Sequence, residues 1–541
     1  MKRQSRITVA LAAVLGTIVL GMGGTARADW LRAESERFIV YSDGGERDLR
    51  DYVQKLEMFD RVMQYRTGVP ANMASPRKLP IYLVANRRDL VRIHPQSGQN
   101  VMGTYFPTEE DIFAVAVRRN TDGMSGEDVL MHEYAHHFML GNVPAAYPAW
   151  LVEGFAEYYM TAEIDVRDRE VILGRYNENR AYWIMAETWI PLNVLLTKGP
   201  GEVRSGHQTT YYSIAWLLTH WFLSDPERAA QLAAYLADIA RGENSVAAME
   251  EATGMTVREL ESALRRYTRT RLAATKISGR FPIAEIEVIH LSSAADDLLL
   301  LNQRLKVGVP EEDRAALGQE VARLAAQHGD DPLALMAAGH AGLHFGDRAA
   351  GERALERLLE LEPGHVEALQ YMAQEQLRQA RETDSDMLAQ SARGKARDYL
   401  ARAYAAGENE YRTLMLMSEL RQGQPGYPND NDLLTLGLAM DRAPQLATVR
   451  FRYASVLAQT GDREQAVSVL RPLANNPHGG GASAFAGRFI ASLESGGPPL
   501  ELIGEAEEPQ ISEPEPEAQP DGPTEQEPAA LPDSASTTSS E

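Results

Sequence analysis

The stretch MHEYAHHFML, residues 131–140, puts three histidines and a glutamate into one short segment. On a helix, positions four apart lie on one face, so His132 and His136 can direct two imidazoles at a single ion. Glu133 stands beside them, within reach of a water held by that ion. This is the HExxH arrangement, and Zn2+ is its usual occupant. Zinc brings the pKa of a bound water towards about 7, and a neighbouring carboxylate takes the proton as that water attacks a carbonyl. His132 and His136 are therefore the expected ligands of one catalytic Zn2+, and Glu133 the general base. His137 lies about 100° around the helix from His136 and reads as a packing or supporting residue rather than a ligand.

A catalytic zinc needs a third protein ligand and one open position. The next segment, AWLVEGFAEYYM (149–160), carries Glu153 and Glu157 four positions apart on one face of a predicted helix. A turn marked by Gly141, Asn142 and Pro144 precedes it. Glu153 is assigned as the third ligand. Glu157 is assigned as an acceptor for a ligand histidine N–H, which fixes that histidine's tautomer. The exchanged assignment, Glu157 on the metal, stays open, as does an ordinary solvated acidic face.

HEYAH followed by WLVEGFAEY resembles the gluzincin zinc metallopeptidases, the peptidase MA-like group, and is similar to their aminopeptidase branch over residues 30 to 270. Val152 stands where that branch has Asn, and the gap between the two motifs is slightly shorter. The resemblance implies an α+β thermolysin-like catalytic domain whose HExxH helix runs under an edge strand that binds the substrate backbone. DIFAVAV (111–117) is the expected edge strand. The resemblance also implies a tyrosine that stabilises the oxyanion. In YYSIAWLLTHWF (211–222), Tyr212 with Ala215 and Leu218 fits that segment better than Tyr211. A phenol aimed at the developing charge meets the physical need. His207 is a second candidate for the same role. The branch's Gly-x-Met-Glu-Asn stretch, which captures a free amine, has no counterpart in MGTYFPTEEDIFAVAV (102–117). Glu109 and Glu110 remain there as candidate acidic anchors.

The elements that must position these residues are partly visible. ERFIVYSD (36–43) and KLPIYLVA (78–85) read as strands, and DLRDYVQKLEMFDRVMQY (48–65) between them has helical spacing. GEDVLMHEYAHHFML (126–140) reads as a helix with Ser125 as its N-cap and acidic residues in its first turn. Tyr211 to Leu223 is helical, and IAEIEVIHL (283–291) reads as a strand. Further on, DPLALMAAGHAGLHFGDRAAGERALERLLELEP (331–363) places Gly339, Gly346, Leu355 and Pro363 where a roughly 34-residue helix-turn-helix repeat has its small, turn, large and breaker positions. VRFRYASVLAQTGDREQAVSVLRPL (449–473) repeats this with Ala454, Gly461, Ala466 and Leu470. Both segments resemble tetratricopeptide repeats, whose concave surfaces take peptide segments. His340 and His344 also lie four apart, but no carboxylate stands near them at motif spacing, and they read as structural.

The 541 residues suit two to four domains. The expected fold is an α+β thermolysin-like metallopeptidase domain (29–275), a connector (276–325), all-α TPR-like helical repeats (326–495) and a disordered acidic Pro/Glu/Ser/Thr tail (496–541). MKRQSR, the apolar ITVALAAVLGTIVL and the small-x-small TARA read as a signal peptide over 1–28, cleaved after Ala28. Export to a bacterial periplasm or beyond follows, with no transmembrane span in the mature chain. The absence of cysteine excludes disulfides, thiolate ligands and a lipid anchor on cysteine. A net charge of -22 argues against nucleic acid as a partner. The expected function is an exported zinc metallopeptidase acting on a peptide or protein substrate, with repeats that bind substrate or a protein partner. The alternatives are an inactive peptidase-like platform whose repeats do the binding, and a zinc hydrolase acting on a cell-wall amide.

Overall fold

The computed structural model describes residues 30–70, 77–98, 101–118, 125–143, 145–176, 178–186, 188–476 and 480–500. The expected signal peptide, the acidic tail beyond residue 500 and Pro144 lie outside the described residues.

The chain begins with β1 (Leu31–Glu34) and β2 (Phe38–Ser42), then α1 (Glu46–Thr67), β3 (Leu79–Val84), α2 (Arg87–Ile93), β4 (Gly103–Pro107) and β5 (Ile112–Val117). The motif helices α3 (Gly126–Asn142) and α4 (Ala149–Met160) follow. Next come β6 (Glu163–Asp165), β7 (Glu170–Leu173), α5 (Glu178–Ala186), α6 (Leu192–Leu195), α7 (Ser205–Leu223), α8 (Pro226–Ala240), α9 (Ser245–Thr253) and α10 (Val257–Tyr267). Two late strands, β8 (Thr275–Ser278) and β9 (Glu287–His290), return to the sheets.

The main sheet has six strands in the order β4-β5-β3-β2-β1-β9, and β6-β7-β8 form a second, three-stranded sheet. Pairing of β2 with β3 is parallel, with Val40 opposite Ile81. Parallel neighbours need a crossover, and α1 supplies it. Its Val53, Leu56, Phe59 and Met63 are buried along one stripe.

This order corrects the expected edge strand. DIFAVAV forms β5, which lies between β3 and β4, and the edge on that side is β4. All six β5 residues are buried, the mark of a strand covered on both faces. β4 contains Gly103 and ends in Pro107, residues that suit an edge. The expected connector also divides. β8 and β9 complete the two sheets, β9 by pairing antiparallel with β1. α11 (Ala294–Arg304) and α12 (Glu311–Ala325) then pack on the first helix of the stack that follows.

That stack runs through α13 (Pro332–Phe345), α14 (Arg348–Leu361), α15 (Val366–Glu382), α16 (Asp386–Ala406), α17 (Tyr411–Arg421), α18 (Asp430–Arg442), α19 (Ala447–Gln459), α20 (Arg463–Ala474) and α21 (Gly480–Glu494). Neighbouring helices pair closely, α13 with α14 and α19 with α20 among them. Gly339 is small because Leu355 of the facing helix needs its space: a Cβ there would lie 2.4 Å from Leu355 Cδ2. The stack is not a tethered appendage. Leu414, Leu436 and Val449 belong to the same continuous core as Tyr134 and Phe138 of α3. Among the described residues, no helix is long and apolar enough to cross a membrane.

Candidate metal centre

α3 starts where the sequence places it. The Ser125 side chain accepts from the Asp128 backbone N–H, and the Asp128 carboxylate accepts from the Ser125 N–H, a full capping box. Away from the histidine pair, Tyr134 anchors the helix, its hydroxyl donating to Asp60 Oδ1 at 2.8 Å. Phe138 and Ala135 are fully buried. Burying a large apolar side chain such as Phe138 contributes roughly 1.5–3 kcal/mol, which holds the helix against the core.

α4 lies against α3 on one side and α7 on the other. Gly154 makes the second contact close: a Cβ would sit 2.2 Å from Thr219 Oγ1 and 2.5 Å from the Ala215 carbonyl oxygen. That approach fixes the rotation of α4 and turns Glu153 towards α3. Glu153 is fully buried.

The result is a triangle of donor atoms. His136 Nε2 lies 3.1 Å from His132 Nε2. Glu153 Oε2 lies 3.7 Å from His132 Nε2 and 3.8 Å from His136 Nε2. A tetrahedral zinc with bonds of about 2.0–2.1 Å separates its ligand atoms by roughly 3.3–3.4 Å. The three edges bracket that figure, and the nitrogen and oxygen donors suit zinc, so the residues fit the ion.

The electrostatics agree in sign. Burial pulls the His132 imidazole down, but Glu153, Glu157 and Glu133 outweigh it and raise its pKa to about 9. The same concentration of negative charge favours a dication.

Glu157 is placed differently from Glu153. Its Oε1 faces His132 Nδ1 at 3.7 Å. Both its oxygens accept from Arg180, from Nε at 2.8 Å and from Nη2 at 2.7 Å. Arg180 thus occupies Glu157 and leaves Glu153 as the carboxylate facing both ligand nitrogens. Nothing local in the sequence marks Arg180, which lies on α5.

Tyr211 and Tyr212 also separate. Tyr211 is fully buried and its hydroxyl donates to the Lys198 carbonyl at 2.8 Å. Tyr212 is half-buried, and the Arg180 guanidinium lies over its ring at 5.4 Å from the centroid. This sets Tyr212 beside the pair that flanks His132. His207 stands in the first turn of α7.

Glu133 is half-buried on α3, and its charge acts on both His132 and Tyr105 of the edge strand. Tyr105, in β4, was not singled out by the sequence. Its hydroxyl bonds His137 Nδ1 at 2.8 Å. Burial lowers the His137 imidazole to about 4, so it stays neutral and supports the helix. Gln445 of the helical stack donates to the Tyr105 hydroxyl at 3.4 Å.

Glu110 is not free to act as an amine anchor: its Oε2 accepts from the Tyr371 hydroxyl at 2.5 Å and faces His340 Nε2 at 3.1 Å. His220 is structural, bonded to the Gly174 and Ala273 carbonyls and to the Tyr267 hydroxyl. A groove lined by Glu34, Glu57, Arg61, Lys78, Phe281 and Ile286 lies at the β1–β9 edge of the main sheet, away from these residues.

No family model matches the sequence, and no curated protein matches it. Among solved structures, a thermophilic TPR protein in Thermus thermophilus aligns with 38% of this chain and 100% of its own length, at 14% identity and a TM-score of 0.31, a likeness too slight to assign a fold.

Proposed function

We propose that the chain is an exported, zinc-dependent gluzincin-like peptidase that hydrolyses a bond in a peptide or protein substrate. In this reading the part before residue 290 is thermolysin-like, and the helix pairs after it are tetratricopeptide-like and bind the substrate or a protein partner. The observation that carries it is the donor triangle of His132, His136 and Glu153, with edges of 3.1, 3.7 and 3.8 Å.

A bound zinc supplies Lewis acidity and acidifies a coordinated water. His132, His136 and Glu153 would hold it. Glu133 takes a proton from the attacking water onto its carboxylate and delivers it to the departing amine nitrogen. Glu157, on the Nδ1 side of His132, favours the tautomer that keeps the Nε2 lone pair for coordination. The Tyr212 phenol donates to the developing oxyanion. As the edge of the sheet, β4 offers backbone groups for pairing with an extended peptide.

A second reading rests on the packing of the stack against the first domain: an inactive platform whose helical repeats do the binding. One experiment separates them. Metal content and peptide hydrolysis are measured on the mature chain beside its Glu133→Gln variant, with purified cell wall as a parallel substrate. Zinc in both proteins, with peptide hydrolysis only in the wild type, is the expected result. Zinc in both with hydrolysis in neither would favour the platform. Absence of zinc from both after reconstitution would end the peptidase reading.

A further inference from the structure

We propose that Glu110, His340 and His344 form a second metal site, taking a divalent ion of the zinc class, which fastens the helical stack to the β4–β5 hairpin. It is independent of the peptidase reading.

His340 and His344 lie four apart on α13, and their rings repeat the geometry of the first pair. The centroids are 4.9 Å apart with planes at 82°, against 4.7 Å and 87° for His132 and His136. The carboxylate that the sequence lacks nearby comes from the other domain. Glu110, in the turn between β4 and β5, brings Oε2 to 3.1 Å from His340 Nε2. One ligating atom from each of the three residues lies within 4.8 Å of the others. A tetrahedral ion with bonds of about 2.0–2.1 Å separates its ligand atoms by roughly 3.3–3.4 Å, and the Glu110–His340 edge of 3.1 Å lies close to that. His344 is the exposed member of the three.

Tyr371 joins Glu110 to His340. The Tyr371 hydroxyl donates to Glu110 Oε2 at 2.5 Å and lies 3.2 Å from His340 Nδ1. It lies almost as near His340 Nε2, at 3.4 Å, with its ring stacked on the imidazole, so it braces both residues at once. Arg412 opposes a cation here, since its guanidinium lies over the Tyr371 ring at 4.1 Å. Two imidazoles and a carboxylate are donors that zinc-class ions accept.

The consequence is mechanical. The hairpin turn that carries Glu110 leads directly from β4, whose Tyr105 bonds His137 beside the first ligand set. An ion at Glu110 would clamp that hairpin between the two domains.

The test is zinc content by elemental analysis of the full mature chain after zinc loading and removal of excess. Wild type, His344→Ala, Glu110→Gln and Glu153→Gln are compared. His344 is exposed, so alanine there leaves the fold intact, and circular dichroism checks this. The expected result is two zinc ions per wild-type chain, matching the two clusters, and the loss of one in each variant. One ion in the wild type that persists in His344→Ala and Glu110→Gln would overturn the second site. One ion that Glu153→Gln retains and His344→Ala loses would uphold it while removing the first.

Discussion

Arg180 grips Glu157 with two parallel bonds, from Nε at 2.8 Å and from Nη2 at 2.7 Å, in a place where both side chains are buried. The pair decides what the second carboxylate of WLVEGFAEY does. A carboxylate held by a guanidinium fork is a poor metal ligand, but it can still direct one oxygen towards His132 Nδ1.

Arg180→Ala should therefore act at a distance from the ion. Removing one partner of a buried pair costs about 3–5 kcal/mol. Loss of an outer support typically lowers metal affinity by about 10–100-fold. Thermal unfolding and zinc competition titration measure the two effects. Stability lost with zinc affinity unchanged would show that Glu157 does not support His132.

The adjacent tyrosines should part company. Tyr212→Phe is expected to lower kcat by roughly 10²–10³ with KM nearly unchanged, as removal of an oxyanion donor does. Tyr211→Phe should keep kcat and lose about 1 kcal/mol of stability with its bond to the Lys198 carbonyl. Steady-state kinetics on both variants decides. Equal kcat values would assign neither tyrosine to the reaction.

Gly154→Ala should fail for lack of room. The added Cβ would meet Thr219 and the Ala215 backbone, and overpacking of this kind costs about 1–3 kcal/mol. Because Glu153 is the preceding residue, zinc content should fall together with the melting temperature. A normal melting temperature with full zinc would show that α4 and α7 can separate at no cost.

Acid should loosen the joint between the domains. Lys306 lies 3.3 Å from Asp111 and 2.6 Å from Glu367, and Arg77 lies 2.6 Å from Asp111. Burial pushes the two carboxyls up, but Lys306 outweighs it, with Arg77 adding to the effect on Asp111, and both are lowered. With folded values below unfolded ones of about 3.9 and 4.3, the unfolded chain takes protons first as pH falls. The stability they contribute is whole above about pH 5 and is lost as pH drops through the folded values. Lys306→Met should lower stability at pH 7 and flatten the acid limb of a stability-against-pH curve. An unchanged limb would show that these carboxyls do not couple to folding through Lys306.

The first cluster was legible because its information is local. Two histidines four apart and two glutamates four apart need only a helix to share a face, and Ser125 and the apolar flanks mark the helices. Arg180 has no such signature, because its partner lies on another helix. Glu110 and His340 meet across domains, a contact no window of sequence contains. The edge strand was misplaced for a physical reason. DIFAVAV is the more apolar run, and a run apolar on both faces belongs inside a sheet, whereas the glycine and proline of β4 disguise it as a loop. The late strand IAEIEVIHL was visible as a strand, but its partner β1 lies some 250 residues earlier, beyond what pattern alone can pair.

That pairing governs how the molecule can be assembled. Until residue 290 has been synthesised, β1 presents a bare row of amide and carbonyl groups, the kind of margin on which other chains nucleate aggregates. A fragment cut at residue 275 would retain every residue of the first cluster and yet be expected to aggregate. One that extends past His290 would pair β1 and shift the margin to the four-residue β9, and the order of synthesis makes that pairing one of the sheet's last events.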